Sequence, residues 1–225
     1  MSIIDQQRVA EQQWLDAWHR GPQRTRWDRI PLQVGDAAPD LTLPDHTGEM
    51  VQLSSLWSES PAVVLFWRHF GCSCGHDRAA RLKDEHAQYT EAGASMIVIG
   101  QGEPARAAEY RERTGIPCPM LCDPDRAAYH AFDLLEGTTA QVLFDAPDEF
   151  LRRDAAAGES LAASRHGTER AAVDSPWQLP GEFVIGRGGI VQLAYRYQYC
   201  EDWPDPRVLT AAIRFGAAGS SPSAE

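Results

Sequence analysis

No apolar stretch in this 225-residue chain comes near the roughly 20 residues that cross a bilayer as a helix. The longest runs only from Pro61 to Trp67. The start, Met1-Ser-Ile-Ile-Asp-Gln-Gln, lacks the basic and then apolar stretches of a secretory leader, so a cytoplasmic location is expected. Basic charge is also scarce: 21 Lys and Arg stand against 32 Asp and Glu, a net charge of −11. That field repels phosphate backbones and anionic lipid, which excludes nucleic acid and membrane as partners. No internal repeat is visible. An even cysteine framework is missing too, since the five cysteines (72, 74, 118, 122 and 200) are odd in number and unevenly spaced, in a chain too large to need disulfide staples. With 43% hydrophobic and 24% charged residues, the chain has the material for one well-buried domain.

Residues 1–33 are predicted to form a helical extension. Ile3, Ile4, Val9, Trp14, Leu15 and Trp18 recur among polar residues until Gly21-Pro22 breaks the helix. From Val34 the pattern changes, and Leu41 to Leu43 and Met50 to Leu53, divided by His46-Thr-Gly48, read as a β-hairpin. Val63 to Trp67 reads as a central strand covered on both faces. A helix follows to about Ala92, with Ala79, Leu82, His86 and Tyr89 on one stripe and Gly93 behind it. A strand at Met96–Gly100, a helix over 105–114 and a strand over 119–122 complete a β-α-β-α-β order suited to parallel pairing in a three-layer α/β domain. Residues 138–178 lose periodicity and read as an insertion. Glu182–Ile185 and Ile190–Tyr195 then form a hairpin, Pro206 to Phe215 a helix, and 217–225 a frayed tail. Trp14, Trp18 and Trp27 are expected to bury against the fold or a second subunit, which makes a homodimer compatible with the sequence.

The chemistry concentrates where the Val63–Trp67 strand meets the following helix. Cys72-Ser-Cys74-Gly places sulfur at a helix N-terminus, where unpaired N–H groups and the macrodipole favour an anion. A thiolate is the anion available, and the same environment makes a cysteine nucleophilic. Arg68, His69, His76 and Arg78 flank the pair and add positive potential. The plainer reading, two small core residues, stands beside this one. Cys118 and Cys122 bracket a strand with an even separation, so both face one side and read as buried thiols. Cys122 at the C-terminal edge of the sheet is the more interesting of the two. Asp123-Pro-Asp125 reads as a helix-initiating turn rather than a metal site. His86, His130 and His166 show no ligand spacing.

Several blocks carry a family resemblance: Val34-Gly-Asp-Ala-Ala-Pro-Asp-Leu-Thr-Leu-Pro44, Gly48 to Leu53, Val63 to Trp67 ending toward a cysteine, Pro119-Met-Leu-Cys-Asp123, and Phe183-Val-Ile-Gly-Arg-Gly-Gly-Ile190. Together they resemble a peroxiredoxin, and Arg68-His-Phe-Gly-Cys-Ser-Cys-Gly is most similar to the peroxiredoxin-like AhpC/TSA-type branch. The resemblance covers about 34–216 apart from the insertion. It implies an α/β thioredoxin-like fold, a central mixed sheet flanked by helices, with thiol chemistry at Cys72 and Cys74. The chain departs from the family in having Cys-x-Cys where that branch has Cys-x-x-Cys. Alignment with ordinary peroxiredoxins puts Cys74 at the peroxidatic position, with Gly71 where a Thr is usual. The family's supporting Arg before the Phe-Val-Ile strand is replaced by the run Trp177 to Glu182, which leaves Arg68 as its substitute. Pro180 falls where thioredoxin folds carry a cis-Pro. The fold also brings the C-terminal end of the last strand to the active-site edge, so Cys200 is a resolving thiol, a metal ligand or a packed bystander.

Two functions are therefore expected from these residues. In the first, the chain is a thiol oxidoreductase without a cofactor. Cys72 and Cys74, helped by Arg68 and Pro180, reduce a peroxide or another small oxidised molecule and are restored by a thiol or protein reductant. In the alternative, Cys72, Cys74 and Cys200, with Cys122, hold a single metal ion or an iron–sulfur cluster of the 2Fe–2S type on the same scaffold.

Overall fold

A computed structural model describes residues 3–70, 72–144 and 174–218. Helix α1 spans Ile3–Arg20, and strands β1 (Thr42–Pro44) and β2 (Met50–Gln52) pair antiparallel as the expected hairpin. Gly48 at its tip has φ +93°, a conformation costly for any residue with a Cβ. The main sheet holds β3 (Ala62–Phe66), β4 (Ser95–Gly100), β5 (Met120–Cys122), β6 (Gly181–Ile185) and β7 (Val191–Arg196) in the order β5-β4-β3-β6-β7. The pairs β3–β4 and β4–β5 are parallel, and β3–β6 and β6–β7 antiparallel. This is the mixed sheet expected, and β7 runs parallel to β3 with β6 between them.

The period of two along β3 divides the core. Val63, Leu65 and Trp67 pack toward α2 (Ser73–Glu91), α3 (Pro104–Thr114) and α5 (Pro206–Ala218) through Leu82, Tyr89, Tyr110, Leu209 and Ile213. Ala62, Val64 and Phe66 face the opposite layer, where Tyr129 of the short α4 (Ala127–Ala131), Phe132 and Phe183 surround the Phe66 ring. Asp123 opens α4 as expected, accepting from the N–H groups of Ala127 and Ala128 at 2.9 and 2.8 Å.

Some expectations need correction. The buried stripe of α2 carries the expected Ala79, Leu82 and Tyr89 together with Arg78 and Glu85, while His86 is only half-buried, because Arg78 turns inward to bind both Glu85 and a carboxylate from β6. Strand β7 runs over Val191–Arg196, one residue later at each end than the expected Ile190–Tyr195. Trp27 is held at its edge by a hydrogen bond from Nε1 to the Asp133 carbonyl and is 40% exposed in the single chain, which is compatible with the expected packing on a second subunit as well as with partial packing on the fold. Of the expected insertion, Ala140–Phe144 form one π-helical turn and 145–173 lie outside the described residues, as does the tail from 219. Among the described residues no helix is long and apolar enough to cross a membrane.

Candidate active site

Strand β3 delivers the chain to the C-terminal edge of the sheet, where Trp67 N still donates to the Ile99 carbonyl at 2.8 Å. Cys72 then occupies the N-cap position of α2 in extended conformation, and Cys74 lies in its first turn. The two are joined by a disulfide, with Cα atoms 5.3 Å apart. Next to them Gly75 admits the Trp67 and Tyr110 side chains: a Cβ there would lie 2.7 Å from Tyr110 Oη.

Cys72, Cys74 and Cys200 are all buried and form one apolar cluster with Val142, Trp177 and Leu179. Trp18 packs on that cluster from α1, its ring stacked on Trp177 at 4.4 Å, while Trp177 Nε1 donates to the Ala17 carbonyl at 3.0 Å. The helical extension thereby roofs the cysteines. Cys122 is not brought to them: it packs among the side chains facing α2 and α3, as does Cys118. Burial pushes both of those thiols up to about 12.

Arg68 is the charged group at the pair. Its Nη1 donates to Cys72 Sγ at 3.0 Å and its Nη2 to the Pro176 carbonyl at 2.8 Å. The Arg68 carbonyl accepts from Gln101 Nε2, and Gln101 Oε1 accepts from Ser175 N at 2.8 Å. Asp174 receives a bidentate pair from Arg106, at 2.8 and 3.0 Å, and accepts from Phe70 N at 3.2 Å. The segment over Asp174–Pro176 is thus locked against the loop that carries Arg68.

Behind Cys74 lies a cavity of about 20 Å³, room for roughly one water, bordered by Cys200, Pro180, Tyr197, Arg78 and Glu182. Its polar wall is a buried network. Arg78 binds Glu182 through Nε at 2.8 Å and Nη2 at 3.2 Å, and Glu85 through Nη1 at 2.9 Å. Tyr89 donates to Glu85 at 2.9 Å and Tyr197 donates to Glu182. Burial alone would disfavour the Arg78 cation, but Glu182 reverses that and holds it firmly protonated.

Pro180 borders this cavity as its position suggested, yet the described residues contain no cis peptide bond. The segment is extended, with Leu179 N bonded to the Leu135 carbonyl at 3.1 Å and the Pro180 carbonyl accepting from Tyr197 N at 3.2 Å. The ordinary trans form, favoured by about 0.5–1 kcal/mol for an X–Pro bond, meets both partners. Among the described residues no three His, Cys, Asp or Glu side chains are grouped to hold an ion, and Cys122 faces a different part of the core.

Residues 34–194 match the model of the AhpC/TSA family. The chain belongs to that family. Its relatives include the chloroplastic thioredoxin-like protein AAED1 of Arabidopsis thaliana, 28% identical over 69% of this chain and 62% of that protein. Peroxiredoxin Bcp of Escherichia coli is 27% identical over 45% of this chain and 65% of its own length, and human peroxiredoxin-like 2C is 25% identical over 71% of each. The match thus spans less than two thirds of the first two relatives. Among solved structures, peroxidoxin BcpB of Mycobacterium tuberculosis superposes with a TM-score of 0.58 at 19% identity, covering 82% of this chain and 97% of that one. A thiol peroxidase from Chromobacterium violaceum gives 0.55 at 15%, covering 87% and 92%. These likenesses establish the thioredoxin-like fold, and the family is one of peroxiredoxin-like oxidoreductases.

Three features of the site escaped the sequence reading: the Arg78–Glu182–Glu85 network, the Arg106–Asp174 clamp and the Trp18–Trp177 roof. Glu182 carried a usable signal, being an acid inside an otherwise apolar strand that only a buried cation could tolerate. The other two join residues 68 and 159 positions apart, and no local pattern announces them.

Proposed function

We propose that this AhpC/TSA member is a thiol peroxidase in which Cys72 is the attacking sulfur and Cys74 resolves it. The observation that carries the reading is the contact of Arg68 with Cys72 Sγ, which singles out Cys72 rather than Cys74 as the sulfur held as a thiolate. The α2 N-terminus adds to that preference. The Cys72 thiolate attacks one peroxide oxygen and the O–O bond breaks, giving Cys72–SOH and an alkoxide or hydroxide that takes up a proton. The Cys74 thiol then displaces that oxygen as water, forming the Cys72–Cys74 disulfide. Two electrons from an external thiol, of small-molecule or protein type, restore both thiols, and the cycle calls for no metal or prosthetic group. Burial of the pair under Trp18 and Trp177 favours a small peroxide.

The test is single turnover. Reduced protein is mixed with one equivalent of hydrogen peroxide, quenched in acid and mapped by mass spectrometry. The expected products are a Cys72–Cys74 bridge in the wild type, a dimedone-trapped sulfenic acid at Cys72 in Cys74→Ser, and no rapid peroxide consumption in Cys72→Ser. Sulfenic acid on Cys74 in the Cys72→Ser protein, formed at the wild-type rate, would transfer the attacking role to Cys74.

A further inference from the structure

Cys200 carries a reduced thiol, buried on the loop between β7 and α5. It touches the same apolar cluster as the disulfide and shares the small cavity with Cys74. Cys72 lies on the other side of the bond, against Arg68. The two sulfurs of the disulfide are therefore unequal. One borders the small cavity that Cys200 also borders, and the other is held by a guanidinium that would stabilise it as a departing anion. Thiol–disulfide exchange runs fastest when the displaced sulfur leaves as a stabilised thiolate.

We infer that Cys200 is a second resolving thiol that attacks the Cys74 side of the Cys72–Cys74 bond. The Cys200 sulfur bonds to Cys74, the Cys72–Cys74 bond breaks, and its electron pair leaves on Cys72. The proton lost by Cys200 balances the thiolate released at Cys72, so the step is redox-neutral and needs no further reactant. It restores the Cys72–Arg68 thiolate while the oxidised bond moves to the loop after β7. There the neighbouring Gln198 and Tyr199 are exposed, which brings the bond toward a reductant that cannot pass Trp18. The inference rests on the dithiol reading of Cys72 and Cys74 and adds a direction to it.

The full chain is oxidised with one equivalent of diamide, acid-quenched and mapped for linked peptides, as wild type and as Cys72→Ser. The wild type is expected to show both a Cys72–Cys74 and a Cys74–Cys200 bridge. Cys72→Ser should form the Cys74–Cys200 bridge as its main product. A wild type with only the Cys72–Cys74 bridge, together with a Cys72→Ser protein that keeps native circular dichroism and leaves Cys74 and Cys200 as thiols, overturns the relay and leaves the dithiol reading intact. Absence of any bridge at Cys72 or Cys74 in the wild type overturns both. A Cys72–Cys200 bridge in place of Cys74–Cys200 overturns the direction assigned here.

Discussion

Arg68 reaches Cys72 Sγ with one terminal nitrogen, at 3.0 Å, and the Pro176 carbonyl with the other, at 2.8 Å. One guanidinium thus selects a sulfur and fastens the segment that roofs it. Replacing Arg68 with Met keeps the length and removes the cation, so Cys72 loses its charge partner. Alkylation of reduced Cys72 at about pH 7 is expected to slow about tenfold, the effect of one unit in thiol acidity. Lys at the same position, a point charge without a fork, recovers only part of the rate. Timed iodoacetamide labelling read by mass spectrometry decides the matter, and an unchanged rate in Arg68→Met would remove the arginine from the thiolate's environment.

Cys118 and Cys122 sit in the opposite situation, with burial pushing both thiols up to about 12. At about pH 8 essentially none of either is thiolate. Neither is expected to label in the folded protein over the time in which Cys72 reacts to completion, and both should label at once in guanidinium. Should Cys118 label ahead of Cys72, the site has been placed at the wrong end of the sheet.

The Arg78–Glu182 pair predicts a different kind of cost. Removing the Glu182 charge leaves a buried cation with Glu85 as its remaining carboxylate and deprives the Tyr197 hydroxyl of its acceptor. Glu182→Leu is expected to destabilise the fold by about 3 kcal/mol, the low end for breaking a buried pair. The double variant Arg78→Met/Glu182→Leu should recover part of that loss, since the buried cation is gone and Glu85 keeps Arg81 at 3.6 Å and the Tyr89 hydroxyl at 2.9 Å. Urea midpoints of the two variants measure it, and equal losses would mean that the network contributes packing alone.

Much of this fold could be read from the sequence because its elements are locally determined. Val63 to Phe66 is apolar on both faces and becomes the central strand, and Asp123 precedes exactly one short helix and caps it. The cysteine pair was legible for the same reason, as a strand-to-helix corner rich in sulfur and flanked by Arg68. What lay beyond reach was tertiary: the inward turn of Arg78 and Glu85 depends on Glu182 arriving from a strand about a hundred residues away, and α1 betrays nothing of Trp177 in its own periodicity. The trans state of Pro180 belongs to the same group, since its flanking backbone bonds to Leu135 and Tyr197 come from distant parts of the chain.

Glu136 couples the roof to acid. Its carboxylate accepts from the backbone N–H groups of Gln23 and Arg24 and from the Arg126 guanidinium, and its own N–H donates to the Arg24 carbonyl at 2.8 Å. These bonds fasten the segment that directly follows α1, and hence the base of the helix that carries Trp18. Burial by itself would raise this carboxyl, but the Gln23 N–H and Arg126 outweigh it and hold it below the ordinary 4.5. The folded protein therefore binds fewer protons here than the unfolded chain does. The stabilisation is present in full above the unfolded value and is lost as pH falls through the folded one. Between about pH 5.5 and about pH 3.5 the urea midpoint of the wild type is expected to drop more steeply than that of Glu136→Gln, which cannot change charge. The difference between the two profiles measures this carboxyl. Trp fluorescence followed over the same range should report the release of the 21–27 segment in the wild type. Parallel midpoint profiles would show that Glu136 holds the segment by shape rather than by charge.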